Sequence, residues 1–134
     1  MTDSPAMFDP ALRVSSKEVL WHFIADFYDG PIAGLAVFKD EILQFCCLPE
    51  EIPHQHIYAL HRLSDAELAE ELRVKAQFES LVGTHWSFDL DGKPLPRIDY
   101  PTEIARVFYE EEGMRQSPHP RDKPIVAWFD VTKE

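Results

Sequence analysis

Apolar and polar side chains alternate along residues 17–28, and this period of two predicts a β-strand. One face is entirely apolar and is expected to face a core, whereas the other is mixed, as in a sheet with one partly solvated side. The apolar face comprises Val19, Trp21, Phe23, Ala25 and Phe27, and the mixed face comprises Leu20, His22, Ile24, Asp26 and Tyr28. A glycine-proline pair at 30–31 ends the strand, because proline lacks the donor that the ladder needs.

A second strand is predicted over residues 33–38 and two more at residues 41–48 and 57–63, each bounded by turn residues or prolines. Lys39 and Asp40 form the expected hairpin tip, because aspartate tolerates the backbone angles of a tight turn. Strands joined by direct connections usually pair with their chain neighbours, so this segment predicts an antiparallel meander.

The clearest helix signal lies between Ser64 and Gly83. Ser64 is the expected N-cap, and Glu67 completes a capping box three residues later. Gly83 is a suitable terminator, because glycine readily adopts the conformation that commonly follows a helix. The apolar side chains form a wide stripe, so the helix (about 65–82) is expected to pack on one face of the sheet.

A shorter second helix is predicted over about residues 101–112, and we expect it to bury Ile104, Val107 and Phe108. The last predicted strand, residues 125–131, is apolar on both faces. We therefore expect it to lie inside the sheet and not at its edge.

These elements predict one α+β domain with an antiparallel, meander-based sheet of five to six strands, one long helix and one shorter helix. The sixth strand would be a short one at Trp86 and Phe88. A chain of 134 residues has the size of a single domain. Residues 1–15 contain two prolines and no periodicity, and they are expected to form a flexible arm ahead of a domain at residues 16–134.

The charge balance indicates which classes of partner this protein can bind. The formal net charge is −11, and the sequence pI is about 4.9. Such a field repels nucleic acid and anionic lipid, so neither is an expected partner, whereas a basic protein is attracted. The longest apolar run, residues 32–38, is far shorter than the roughly 20 residues of a membrane-spanning helix. The N-terminus lacks the basic start of a secretory signal, so we expect a cytoplasmic protein.

The two cysteines, Cys46 and Cys47, are adjacent on a predicted strand and therefore point to opposite faces. A bridge between neighbours would distort the backbone, so both are expected to be reduced thiols, which suits a reducing cytosol. Neither has the electropositive surroundings in sequence that activate a catalytic thiol.

Three histidines, His54, His56 and His61, fall within eight residues. His54 and His56 would share a strand face, as a pair of zinc ligands does, but the pattern supplies no third and fourth ligand. No glycine-rich phosphate-binding loop is present in the sequence. We therefore expect neither a metal site nor a cofactor.

One acidic cluster breaks a local rule. Glu110, Glu111 and Glu112 fall in the last turn of the second helix, where the helix dipole disfavours negative charge. Together with Glu50 and Glu51, they are the candidate binding surface for a basic partner. The alternative is internal pairing with the basic residues nearest in sequence, which are Arg106, Arg115, Arg121 and Lys123.

Size, acidity and the lack of a catalytic motif favour a non-catalytic protein-binding module with the profile of a small bacterial immunity or antitoxin-type inhibitor. An alternative is a small enzyme or ligand-binding domain with a pocket between the sheet and the second helix. That pocket would be lined by His22, Asp26, Tyr28, His54 and His56. A third interpretation is a subunit that forms homodimers through its last strand.

Overall fold

The computed structural model describes residues 9–27, 31–47, 55–113 and 123–132, and the contacts given below are theirs. Five strands form one antiparallel sheet in the order β1-β2-β3-β4-β5, accompanied by two α-helices. This confirms the predicted α+β meander. The strands are β1 (Val19–Phe27), β2 (Pro31–Phe38), β3 (Glu41–Cys47), β4 (Gln55–His61) and β5 (Ile125–Thr132), and the helices are α1 (Asp65–Leu81) and α2 (Thr102–Glu112).

The β2–β3 hairpin turns at the predicted position. Lys39 and Asp40 have φ angles of 50° and 62°, and Phe38 pairs directly with Glu41. Two consecutive positive φ angles are typical of the type I′ turn, whose twist matches the twist of the flanking strands.

Strand β1 does not keep a period of two. Its register against β2 shifts between Trp21 and Phe23 and again between Ile24 and Asp26. Phe23 therefore packs in the cluster that contains the helices, whereas Trp21 and Ile24 pack in the other cluster. The prediction of one uniform apolar face was wrong here, because each bulge adds a residue and reverses the side-chain alternation.

The sheet curls around an aromatic core. The ring of Trp21 in β1 lies 4.7 Å from that of Phe45 and 6.2 Å from that of Phe129, which belongs to the opposite edge strand. Tyr58 stacks on Phe129 at 5.2 Å and donates a hydrogen bond to the carbonyl oxygen of Pro31. The concave side of the sheet is thus filled by its own side chains.

Strand β5 lies at the edge of the sheet, so the prediction of a central position was wrong. Its outer side is covered by residues 9–14, a part of the predicted N-terminal arm. Val14 N donates to Trp128 O at 2.9 Å, and Trp128 Nε1 donates to Asp9 O at 2.8 Å. An irregular segment covers this edge in place of a sixth strand, and sequence periodicity does not reveal such a cover.

The middle of the β1 edge, at residues 22–24, is covered in a similar way. Ile24 N donates to Trp86 O at 2.9 Å, and Phe88 N donates to His22 O at 3.0 Å. These contacts form only an isolated bridge between Phe23 and Ser87, so the short strand expected near Trp86 is absent from the described sheet. Covered edges do not offer free backbone groups to other chains.

Helix α1 packs on the convex side of the sheet, as predicted. Ser64 Oγ accepts from Glu67 N at 3.1 Å, and Glu67 Oε1 accepts from Ser64 N at 2.9 Å, which completes the capping box. Phe78 places its ring 5.4 Å from that of Phe23. Val74 is buried in the same cluster, together with Leu35 of the sheet.

Helix α2 leans on α1. Phe108 is its one buried residue, and the Phe108 ring lies 5.3 Å from that of Phe78. Ile104 and Val107 are each 40% exposed, so the prediction that α2 buries them was wrong. The helix meets the rest of the fold along a single narrow stripe, which leaves these two side chains on the outside.

Among the described helices, none combines the length and the apolar character needed to cross a membrane.

Candidate functional site

Exposed apolar side chains are concentrated in one short stretch of the described chain. Of the seven large apolar residues that are exposed, five lie between positions 98 and 109. They are Ile98 (44%), Tyr100 (37%), Ile104 (40%), Val107 (40%) and Tyr109 (56%). Single exposed apolar residues are ordinary, whereas several in one short stretch make that stretch a candidate interaction site.

The spacing along α2 explains this exposure. Ala105, Phe108 and Glu112 follow each other at helical intervals and form the side that faces α1. Residues three or four apart are neighbours on a helix surface, so Ile104 and Val107 form a ridge on another side.

Carboxylates flank this ridge. Glu103 precedes Val107 by four residues, Glu110 follows it by three, and both glutamates are exposed. We call Glu103, Ile104, Val107 and Glu110 the α2 surface. An apolar centre beside acidic side chains is complementary to an apolar patch edged by lysine or arginine.

The three glutamates at the end of α2 have different environments. Glu112 is only 11% exposed at its side chain and pairs with Arg73 of α1 at 3.0 Å. Glu111 accepts a hydrogen bond from Gln77 Nε2 at 2.5 Å. The last turn therefore docks α2 onto α1, which accounts for its unfavourable position in the helix dipole, while Glu110 faces outward.

The partner of Glu112 was not among the basic residues expected from sequence. Arg73 lies 39 positions away and also binds Glu70 at 2.7 Å. The hydrogen bonds that Arg73 donates to Glu70 and Glu112 raise the pKa of its guanidinium. Lys123, one of the expected partners, pairs with Glu67 at the start of α1. The other two candidate contact residues, Glu50 and Glu51, lie outside the described residues.

The alternative His/Asp pocket is not assembled by its described members. His22 is 7% exposed and lies beside Lys75 and Glu79 of α1. Burial lowers the pKa of His22, and the charge of Lys75 lowers it further. Among the described residues, none forms a hydrogen bond with its Nδ1 atom.

His56 lies in the other cluster, where its ring is 6.2 Å from that of Tyr58. The structure therefore separates His56 from His22 by the thickness of the sheet. The side chain of Asp26 and the residues Tyr28 and His54 lie outside the described part of the chain.

Sequence analysis missed that each cysteine meets a histidine on the neighbouring strand. Cys46 Sγ lies 3.5 Å from His61 Nε2, and Cys47 Sγ lies 3.7 Å from His56 Nδ1. The sequence contains the basis of this pairing. One cysteine and one histidine stand at even positions and the others at odd positions, so each face of the sheet receives one cysteine and one histidine. Neither pair gains a third ligand, since no group of three metal-binding side chains forms within the described ranges.

Comparison with known proteins gives no match: no family model, no curated protein and no solved structure matches the chain. Function is therefore inferred from the α2 surface itself.

Proposed function

We propose that this protein is a non-catalytic protein-binding module, an immunity- or antitoxin-like inhibitor, that binds a basic partner protein through the α2 surface. The observation that carries the proposal is the 40% exposure of both Ile104 and Val107 on a helix edged by carboxylates.

The apolar ridge supplies affinity in this proposal. Removing apolar surface from water contributes about 25 cal/mol per Å2, and a few well-packed anchors carry most of the energy of an interface. Ile104 and Val107 are such anchors. Tyr100 and Ile98, in the segment that leads into α2, provide further apolar area.

The carboxylates select the partner. A net charge of −11 attracts basic proteins over long distances, and Glu103 and Glu110 lie where a lysine or arginine at the edge of the interface would meet them. The same carboxylates disfavour a homodimer formed through the α2 surface, because the glutamates of the two copies would repel each other.

The α2 surface is held in place before binding. Phe108 packs on Phe78, and the Arg73–Glu112 and Gln77–Glu111 contacts fix the end of the helix. A pre-organised surface loses less conformational entropy on association, and this favours affinity.

A reducing compartment, the cytoplasm, is part of the proposal. Neither Cys46 nor Cys47 is part of a disulfide, and this is compatible with a reducing compartment.

The first test locates the partner. A photo-crosslinking residue is placed at Val107 of the full chain, with Ala69, exposed on α1, as the control position. We expect a basic protein to be captured from cells of the source organism at position 107 and not at position 69. An acidic partner, equal capture at both positions, or a second copy of the chain would overturn the proposal.

The second test uses the captured protein in purified form. The Ile104→Ser/Val107→Ser variant should bind at least about tenfold more weakly, corresponding to about 1.4 kcal/mol. Leu90→Ser is the matched control, because Leu90 is 59% exposed in a turn outside this surface. Glu103→Lys/Glu110→Lys should slow association most strongly at low salt. Wild-type affinity of the serine variant would contradict the proposal, provided that its circular dichroism confirms folding.

A further inference from the structure

The β3–β4 hairpin contains two thiol–imidazole pairs, one on each side of the sheet. In the register of this hairpin, Cys46 lies opposite Ala59 and Cys47 lies opposite Tyr58. Adjacent residues on a strand point to opposite faces, so each thiol meets a different histidine. The two pairs share one backbone and differ in their surroundings, so one serves as an internal control for the other.

The Cys46–His61 pair is fixed in a neutral form. His61 is 3% exposed, and its Nδ1 lies 3.2 Å from the carbonyl oxygen of Lys123. A carbonyl only accepts, so Nδ1 carries the proton and Nε2 accepts from the thiol. Burial, followed by the charge of an ionised Cys47, raises the pKa of Cys46 to about 11. Cys46 is therefore a structural thiol at neutral pH.

The Cys47–His56 pair lies at the other side of the hairpin and at its end. Cys47 is the last residue of β3, His56 is the second residue of β4, and both are half-buried. The distance of 3.7 Å between Cys47 Sγ and His56 Nδ1 places the imidazole where it can accept the thiol proton when the sulfur reacts. This is the arrangement of a nucleophile beside a base.

We propose that Cys47 is a nucleophilic thiol, that His56 is its base, and that the pair reacts with a small hydroperoxide.

The reaction balances without a further reagent. The thiol proton moves to His56, and the Cys47 thiolate attacks the terminal oxygen of the hydroperoxide. One sulfur–oxygen bond forms while the oxygen–oxygen bond breaks, and the leaving alkoxide or hydroxide takes the proton from the imidazolium. The products are a sulfenic acid on Cys47 and an alcohol or water.

The surroundings favour a small neutral oxidant. Cys47 is half-buried and packs against the aromatic cluster that contains Tyr58 and Phe129, so the proposal names a compact, uncharged reagent. The net charge of −11 repels anionic oxidants such as glutathione disulfide.

The test uses hydrogen peroxide as the probe on the full wild-type chain. Sulfenic acid is trapped with dimedone, and fragment mass spectra assign the label to one of the two adjacent cysteines. We expect Cys47 to be labelled at least tenfold faster than Cys46. Equal labelling, or faster labelling of Cys46, would overturn the proposal, and no variant has to fold for this measurement.

The role of His56 is tested by the pH dependence of thiol alkylation with iodoacetamide in the Cys46→Ser background. His56→Gln should slow the reaction near neutral pH and move the rise of the rate to higher pH, since the thiol has then lost its base. His85→Gln, at a half-buried histidine on another segment, should leave the profile unchanged. An unaltered profile in His56→Gln would remove the base from the mechanism. Neither measurement involves a partner protein, so this inference and the proposed function fail separately.

Discussion

The two helices of this protein contribute differently to its fold. Helix α1 starts with a complete capping box and buries Val74 and Phe78 beside the sheet. Helix α2 starts after Pro101 without a side-chain cap, and Phe108 is its one buried residue. The difference indicates that α1 contributes several side chains to the core of the domain, whereas the outer face of α2 contributes none.

The strongest test of this contrast is truncation of the ring that joins the two helices to the sheet. Phe78 is 7% exposed and lies between Phe23 and Phe108. Phe78→Ala should lower the free energy of unfolding by about 3–5 kcal/mol, because it removes apolar burial and leaves a cavity. Val107→Ala on α2 should change it by no more than about 0.5 kcal/mol. Urea unfolding followed by circular dichroism measures both, and similar losses in the two variants would contradict the contrast.

A smaller effect is expected at the first residues of the helices. Ser64→Ala removes the cap of α1 and should cost about 1 kcal/mol of unfolding free energy. Thr102 is the first residue of α2, which has no side-chain cap, so Thr102→Ala should be neutral or slightly stabilising, since alanine is the better helix former. Thermal unfolding of the two variants gives the comparison. A larger loss from Thr102→Ala than from Ser64→Ala would show that the start of α2 is the better anchored one.

The parts of the fold that sequence predicts are those fixed by local chemistry. The capping box of Ser64 and Glu67 lies within four residues, and the turn at Lys39 and Asp40 is set by two. Such signals depend on residues that are neighbours in the chain, so they can be recognised without knowledge of the tertiary contacts.

The parts that sequence does not predict depend on distant contacts. Ile104 and Val107 are as apolar as Phe108, and only the way α2 rests on α1 decides which of them is exposed. The cover of the β5 edge likewise comes from residues 9–14, more than 100 positions away in the chain.

The candidate site was predictable only in part. The run of glutamates at the end of α2 was visible as a break of the helix-dipole rule. Its main partner, Arg73, lies on the other helix, so sequence proximity pointed to the wrong basic residues. Two of the glutamates serve the helix contact, and Glu110 alone of the three remains for a partner.

The smallest expected effect is a change in the pH dependence of stability, and it concerns His22, which is buried beside Lys75 and Glu79 of α1. Burial, and then Lys75, lower the pKa of His22 below its usual 6.5, while the backbone of Asp89 and Phe88 and the charge of Glu79 act in the opposite direction. In the unfolded chain the same imidazole takes up a proton as the pH falls through about 6.5. The unfolded state then binds more protons than the folded state, so stability falls with decreasing pH and levels off below the folded pKa.

The unfolding free energy of the wild type should therefore decrease as the pH falls through about 6.5, and His22→Gln should make this slope shallower. Part of the slope should remain in the variant, because burial also lowers the pKa of His61. A slope that is unchanged in His22→Gln would mean that His22 is protonated as readily in the folded chain as in the unfolded one.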